Sequence, residues 1–227
     1  MGSKGGLMRY VGWRLRNPLR TYRDFYAQDV KKRVAKGSVP AWIKEPPSSE
    51  MLDFLLTLGL APEDMVVDYG CGSLRFGRAV IGHQAVDRYH GMDIDEEFYL
   101  PALNALPEEL SRKRPTCSTI SDEGLAHART LRPKFIASWQ VIPVIPPWQQ
   151  VAYFRSMTSL AAKGSTIAAD IFETRDDIRL SPMSWGKSRE FLAKCLREAD
   201  PGLVADFVDS PVKMSDAYRH TIMIIRR

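Results

Sequence analysis

The chain has 227 residues, of which 44% are hydrophobic and 26% are charged, and its formal net charge is +5. This length allows one domain with a full hydrophobic core plus an additional segment, and the composition is that of a soluble globular protein. The apolar runs fall far short of the roughly 18 residues of a membrane-spanning helix, which excludes a transmembrane segment of that kind. The three widely separated cysteines lack metal-ligand spacing, so we expect free thiols in a reducing, cytoplasmic compartment and no bound metal.

Positive charge is concentrated in the first part of the chain. Residues 1–44 carry eleven Lys and Arg against two Asp, a balance of +9, so the remaining residues contribute −4 to the total of +5. Aromatic and leucine side chains interleave with the arginines at roughly helical spacing, namely Trp13, Leu15, Leu19, Tyr22, Phe25 and Tyr26. We therefore predict a basic, aromatic helical extension over residues 1–45.

Two interpretations of this extension are open. In the favoured one, an aromatic helix face packs on the rest of the protein while the arginines stay solvated, because the aromatic stripe is short and is broken by Asn17-Pro18. In the other, the extension binds an anionic partner such as a membrane surface, a nucleic acid or an acidic glycan. A bilayer partner would place the protein at the periphery of a membrane.

Strand-like and helical segments then alternate, which predicts a parallel sheet with helices on both faces. A helix begins after the Pro-Pro-Ser-Ser stretch at residues 46–49 and ends near Gly59. Strands are predicted at residues 65–69, 89–94, 116–120, 134–139 and 165–172, and a final antiparallel pair at 203–209 and 218–226. Further helices are predicted at 74–82, 96–106, 148–162 and 191–199, with residues 121–123 as the loop after the third strand.

The segment at residues 65–77, MVVDYGCGSLRFG, is the most informative part of the sequence. Apolar residues lead to Asp68 and then to Gly70 and Gly72, and glycine permits the crowded or left-handed backbone that brings a ligand close to the main chain. A strand that ends in such a turn before a helix forms a cofactor-binding sheet edge, and about twenty residues later YHGMDID places Asp93 where an acid binds ribose hydroxyls. The two signals predict a bound nucleoside.

This order of motifs resembles the class I S-adenosylmethionine (SAM)-dependent methyltransferases over roughly residues 48–227. GCGSLRFGRAVI, YHGMDID and FIASWQVIPVIPPWQQVAYFRSMTSLAAKGSTIAADIFE are similar to a bacterial subgroup with a G-C-G-S-L-R-x-G motif. The resemblance implies an α/β fold, with a seven-stranded, mostly parallel Rossmann-like sheet and helices on both faces, in a domain over residues 46–227. It also implies SAM as cofactor and S-adenosylhomocysteine (SAH) as product, and we expect the N-terminal helical extension to help cover the cofactor.

The resemblance also assigns cofactor-binding residues. Those expected at the methionine end are Asp68, Gly70, Cys71 and Gly72. Asp93 is expected to hold the ribose, with Ile94 against the adenine and with Ser121 and Asp122 near the adenine edge. Ser138 and Trp139 are expected beneath the cofactor. Arg75 has two open interpretations, a contact with the methionine carboxylate or a solvated helix position.

The chain departs from the family pattern at two places. Leu74 stands where the common turn has a third glycine, and Gly77 is a candidate to provide the close packing instead. The subgroup often has a histidine after the fourth strand, whereas this chain reads Ile142-Pro143-Val144. The catalytic base, if the reaction needs one, is therefore unassigned.

The acceptor is predicted from the segments near the carboxyl ends of strands four and five. Ile145-Pro146-Pro147-Trp148 lacks the Asn or Asp that enzymes acting on exocyclic base amines carry there. Residues 174–187 are polar, contain Trp185 and are expected to form a lid. The candidate acceptor-binding residues are Gln140, Asp170, Glu173 and Trp185. Together with the resemblance to the subgroup, this pattern favours O-methylation of a sugar, glycan or small polar metabolite.

Three alternatives belong to other classes. A nicotinamide-dependent oxidoreductase needs a glycine where Arg75 stands. A nucleic-acid methyltransferase would use the basic extension as its footprint, and strongly salt-dependent binding would identify it. A non-catalytic protein would bind the cofactor without turnover.

Overall fold

The structure, a computed structural model, describes residues 4–35, 47–181, 184–210 and 217–226, without the side chains of residues 4–7 and 33–35. Seven strands form the main sheet: β1 (Val66–Tyr69), β2 (Tyr89–Asp93), β3 (Thr116–Thr119), β4 (Phe135–Ser138), β5 (Thr166–Glu173), β8 (Val204–Asp209) and β9 (Arg219–Arg226). Their order is β3-β2-β1-β4-β5-β9-β8, and β9 runs antiparallel to both of its neighbours. The predicted fold class, a seven-stranded and mostly parallel α/β sheet, is confirmed.

Helices surround this sheet. Two belong to the N-terminal extension, α1 (Lys4–Arg16) and α2 (Tyr22–Ala35). The others are α3 (Glu50–Thr57), α4 (Gly77–His83), α5 (Glu96–Asn104), α6 (Glu108–Ser111), α7 (Asp122–Thr130), α8 (Gln150–Thr158) and α9 (Arg189–Ala199). None of the described helices is both long and apolar enough to cross a membrane. The predicted boundary between residues 45 and 46 lies outside the described residues.

The central strands are buried on both faces. Every residue of β1, β2 and β4 is buried, so these strands show no alternation of buried and exposed positions. On one face, Val67 and Ile136 pack with Phe154 of α8 and Leu192 of α9. On the other face, Val66 packs in the cluster that contains residues of α3 and α4. This two-sided packing fixes the carboxyl ends of β1, β2 and β4 side by side.

Several predicted boundaries differ from the structure. Of the predicted loop at residues 121–123, only Ser121 lies outside a helix, because Asp122 begins α7 and the Ser121 hydroxyl accepts a hydrogen bond from the Gly124 N–H at 3.1 Å. Serine and aspartate favour both loops and helix N-termini, so their presence does not distinguish the two. The helix predicted at residues 148–162 starts as a 3₁₀ turn (Pro147–Gln149) and its α-helical part ends at Thr158.

The predicted lid at residues 174–187 contains a β-hairpin. Its strands are β6 (Ile178–Ser181) and β7 (Ser184–Gly186), with residues 182 and 183 outside the described part. Trp185 of β7 is buried and forms an aromatic cluster with Tyr22 and Phe25 of α2. The extension therefore packs its aromatic face on the body, as in the favoured interpretation.

A buried carboxyl lies at the carboxyl end of β1. Asp68 is 2% exposed and accepts a hydrogen bond of 2.7 Å from the Tyr89 hydroxyl. Burial raises the pKa of this carboxyl from 3.8 to about 7, although the hydrogen bond from Tyr89 acts in the opposite direction. Gly77 makes room for the pair, since a Cβ there would lie 2.2 Å from the Tyr89 hydroxyl oxygen. Asp68 thus holds its proton more tightly in the folded than in the unfolded protein.

We expect Asp68→Asn to flatten the pH dependence of stability. With the folded pKa above the unfolded one, the wild type loses stability as pH rises from about 4 to about 7. Between pH 5 and 8 the loss is on the order of 3 kcal/mol, or about 5–10 °C in Tm, and an amide avoids it. Thermal unfolding followed by circular dichroism measures the effect. Asp87→Asn, at a side chain that is 54% exposed, is the matched control and keeps the wild-type slope. Equal slopes for Asp68→Asn and wild type would contradict the prediction.

Candidate functional site

A cavity of about 460 Å³ opens at the carboxyl ends of the strands. It lies at the ends of β1 and β4, which are neighbours in the sheet. From β1 the chain continues to β2 on one side, and from β4 it continues to β5 on the opposite side. Open α/β sheets bind ligands at such a position. Four segments supply most of the lining: the glycine turn after β1, the end of β2 with the start of α5, the region from the β4 loop to α8, and the start of α2. Phe172 of β5 and Ser184 of β7 complete it.

The glycine turn has the backbone conformation that its sequence predicts. Gly70 has φ +94°, and a Cβ there would lie 2.3 Å from Cγ2 of Val141, so this position accepts no side chain. Gly72 has φ +49°. Leu74, at the place of the family's third glycine, is also left-handed with φ +57°, and its side chain is fully buried in the core. The leucine therefore keeps a glycine-like backbone and leaves the turn open to the cavity.

Asp93 connects the end of β2 to this turn. One of its carboxylate oxygens accepts the Gly72 N–H at 2.8 Å, and the other accepts the Ile94 N–H at 2.7 Å. Burial raises the pKa of Asp93 from 3.8 to about 6, although the two N–H donors act to lower it. Asp93 lines the cavity, and each of its oxygens retains a second lone pair. The carboxylate can thus accept hydrogen bonds from hydroxyl groups of a ligand.

Three cysteines are free thiols, as expected, and one of them lines the cavity. Cys71 is buried, and burial raises the pKa of its thiol well above the ordinary value. A Cβ at Gly91 of β2 would lie 2.9 Å from the sulfurs of both Cys71 and Cys117. The glycine therefore makes room for the two thiols, and Cys71 remains a neutral wall residue.

The loop after β4 forms the floor of the cavity. Ser138 is fully buried, donates to the Tyr69 carbonyl at 2.6 Å and shares a second hydrogen bond with the Tyr153 hydroxyl. Trp139 lines the cavity, and its indole N–H has no hydrogen-bond partner among the described residues. Gln140 follows with φ +58° and also lines the cavity. Ser138 fixes the loop from behind, and the next two residues face the ligand space.

The two acidic acceptor candidates of β5 lie outside the cavity wall. Asp170 is fully buried, where it accepts the backbone N–H of Gln140 and contacts Nε2 of His220 at 3.0 Å. Glu173 accepts hydrogen bonds from Arg189 at 2.8 and 2.9 Å and from the Thr221 hydroxyl at 2.6 Å. Partial burial acts to raise the pKa of Glu173, but the hydrogen bonds from Arg189 and Thr221 outweigh it and hold the pKa below its ordinary value. Both carboxylates are engaged by protein groups.

The extension supplies part of the wall, through residues that were not individually predicted to lie there. Thr21, Tyr22, Arg23 and Tyr26 line the cavity, and the Arg23 guanidinium donates to the Ile120 carbonyl at the end of β3. The alternation of arginine and aromatic residues was the available signal. It did not indicate which face would turn toward the site.

The predicted residues thus fall into three groups. Those that line the cavity are Gly70, Cys71, Gly72, Arg75, Asp93, Ile94, Trp139 and Gln140. Asp68 and Ser138 are buried directly behind the wall. The structure does not bring Ser121, Asp122, Asp170, Glu173 and Trp185 into the lining. Within the described ranges, no group of three or more His, Cys, Asp or Glu side chains is arranged to hold a metal ion.

No protein-family model matches this chain, and no curated protein matches it. Solved structures do. One is the magnesium protoporphyrin IX methyltransferase (ChlM) from Synechocystis PCC 6803 with bound SAM, at 19% identity and TM-score 0.57, over 78% of this chain and 76% of that chain. Another is a SAM-dependent methyltransferase from Clostridium acetobutylicum ATCC 824, at 13% identity and TM-score 0.54, over 91% and 99%.

A third similar structure is the glycopeptide N-methyltransferase MtfA complexed with sinefungin, at 10% identity and TM-score 0.59, over 80% of this chain and 94% of that chain. Identities this low establish a shared fold and do not extend to substrate. The chain has the class I fold of SAM-dependent methyltransferases.

Proposed function

We propose that this protein is a SAM-dependent methyltransferase that releases SAH. The observation that carries the proposal is the Asp93 carboxylate, hydrogen-bonded to Gly72 and facing a cavity at the carboxyl ends of β1 and β2. The methyltransferase domain is assigned to residues 46–227, and the extension over residues 1–45 contributes to its cavity wall. A cytoplasmic location is part of the same proposal, since the three cysteines are free thiols.

The wall residues fit the parts of SAM. The Gly70–Gly72 backbone lines the cavity where we place the methionine portion, and Arg75, which lines it too, would attract the methionine carboxylate. Asp93 accepts from the ribose hydroxyls. Ile94 and Phe98 provide apolar surface for the adenine. The placement of Ser121 and Asp122 at the adenine edge stays a prediction. They follow Ile120, whose carbonyl accepts a hydrogen bond from Arg23 of the wall.

SAM supplies a methyl group on a sulfonium, which is already activated for transfer. The protein therefore needs to align the acceptor with that methyl group and to exclude water. The wall suits this task because many of its side chains are apolar or aromatic, namely Tyr22, Tyr26, Phe76, Phe98, Trp139, Pro143, Val144, Ile145 and Phe172. Tyr153, which also lines the cavity, belongs to α8 and is buried in the core between that helix and the sheet.

The wall offers no free base. Among the described residues that line the cavity there is no histidine, lysine or glutamate, and Asp93 is engaged by two backbone N–H groups. Burial raises the pKa of the tyrosine hydroxyls of Tyr69 and Tyr153. A sugar hydroxyl would need a base to become nucleophilic. The saccharide acceptor inferred from sequence is therefore less well supported than a carboxylate or a neutral aromatic amine on an apolar or aromatic body, because neither has to lose a proton before it attacks the methyl group.

The first test is calorimetric titration of the purified protein with SAH. We expect micromolar binding of SAH and no binding of NADH, because Arg75 stands where a dinucleotide-binding turn requires glycine. NADH is the control for nonspecific nucleotide binding. Binding of NADH with no binding of SAH would contradict the proposed cofactor.

We expect Asp93→Ala to weaken SAH binding about 10- to 100-fold, because hydrogen bonds between ribose hydroxyls and the buried carboxylate contribute about 1.5–3 kcal/mol. Asp87→Ala is the matched control. It removes an exposed carboxylate from the turn before β2 and leaves affinity unchanged. Thermal unfolding of both variants establishes that they are folded. An unchanged affinity of folded Asp93→Ala would remove the main support for the proposed site.

Acceptor class is tested with SAM labelled in the methyl group and a panel of aromatic carboxylates, aromatic amines, phenols and pyranosides. We expect transfer to members of the first two groups and none to phenols or pyranosides, because both of these must lose a proton and the described wall carries no free base. Transfer to pyranosides alone would overturn the proposed acceptor class and leave the methyltransferase proposal standing. SAH binding without any transfer would favour the non-catalytic alternative.

A further inference from the structure

The helix α1 carries a second apolar face that points away from the protein. Met8, Val11 and Leu15 follow one another at intervals of three and four residues, so they lie on one side of the helix. They are 69%, 43% and 79% exposed, and Leu19 in the turn after α1 is 97% exposed. We propose that this outer face, Met8, Val11, Leu15 and Leu19, docks on the surface of an anionic lipid bilayer.

The outer face is not needed for packing the extension on the body. That contact is made by the opposite side of α1, where Tyr10 and Trp13 meet α2. The Tyr10 ring lies 5.2 Å from the Tyr22 ring, and the Trp13 ring lies 5.5 Å from the Phe25 ring, between centroids. α1 therefore has two apolar faces, and only the inner one is covered by described residues. Aliphatic side chains left in water at this spacing favour a partner with an apolar interior.

Charge around the outer face identifies the kind of partner. Residues 8–32 contain seven Lys and Arg against two Asp. Three of the seven are paired with acids of the chain, Arg9 with Asp29, Arg20 with Asp24 and Lys31 with Asp95. The other four have no acidic partner within the described part of the chain, and Arg14 and Arg16 are the two beside Leu15. Arg16 and Arg20 flank Leu15 and Leu19 and are exposed. Basic side chains beside an exposed aliphatic stripe match the anionic headgroups and the acyl boundary of a bilayer.

The same geometry argues against a nucleic acid as the partner. Single-stranded nucleic acids bind by stacking bases on aromatic rings, and the aromatic rings of α1 and α2 face inward in mutual contact. The side chains presented outward are aliphatic, and nucleic acids offer them no apolar surface comparable to a bilayer.

Docking would bring the bilayer close to the cavity. Leu19 precedes Thr21 by two residues, and Thr21 and Tyr22 line the cavity wall. The proposed surface and the proposed active site are thus joined by a short turn. The docking proposal rests on the exposure and charge of α1 and stands whether or not the protein transfers methyl groups.

Vesicle flotation of the full chain tests the proposal. We expect binding to phosphatidylcholine vesicles that contain phosphatidylglycerol and little binding to phosphatidylcholine alone. Leu15→Ser with Leu19→Ser should weaken binding on the order of tenfold, because two aliphatic side chains no longer enter the acyl boundary. Leu56→Ser with Val204→Ser is the matched control, since it removes two other exposed aliphatic side chains, 42% and 69% exposed, and it should bind like wild type.

Three outcomes would overturn the proposal. The first is absence of binding to phosphatidylglycerol vesicles at low salt. The second is wild-type binding by folded Leu15→Ser with Leu19→Ser, which would reduce the contact to charge alone. The third is displacement of the protein from vesicles by single-stranded RNA together with RNA affinity that does not depend on the two leucines. Thermal unfolding and SAH binding of each variant establish that the fold is intact.

Discussion

The hydrogen bond from the Gly72 N–H to the Asp93 carboxylate is the contact on which the site depends. It joins the turn after β1 to the end of β2, and the neighbouring N–H groups of Gly70 and Cys71 both donate to the Met92 carbonyl. Three consecutive positions of the turn are therefore fixed by the last two residues of a single adjacent strand. Because both strands are buried on both faces, the turn has little freedom to relax. The ligand space above it is consequently built before any ligand arrives.

The parts of this fold that could be predicted from sequence are those encoded by short-range signals. The apolar run that ends in the glycine turn predicted β1 and the ligand space beside it. The spacing of about twenty residues from that turn predicted the position of Asp93. Asp122 and Glu123 were assigned to a loop because serine and aspartate, which open this stretch, favour loops and helix N-termini alike. Asp170 was read as an acceptor residue, whereas the structure engages it with Gln140 and His220. That arrangement depends on the pairing of β5 with β9, which no local pattern encodes.

The wall contributed by the extension is the clearest case of a long-range feature. Arg23 reaches the Ile120 carbonyl across 97 positions of sequence, and Tyr22 contacts Trp185 of the β6–β7 hairpin. Neither contact has a local signature. These contacts hold the helices α1 and α2 on the body. The start of α2 contributes to the cavity wall, and α1 presents aliphatic and basic side chains on the outer surface. Ligand access and surface binding are thus properties of the same segment.

The order of the strands also constrains how the sheet is assembled. β9 follows β8 in the chain but is inserted between β5 and β8, and β8 pairs with no other described strand. Until β9 is in place, β5 is an open edge and β8 has no neighbour to receive its hydrogen bonds. Open edges of this kind recruit strands from other molecules. Partly folded chains that lack β9 would therefore be the species most prone to aggregate.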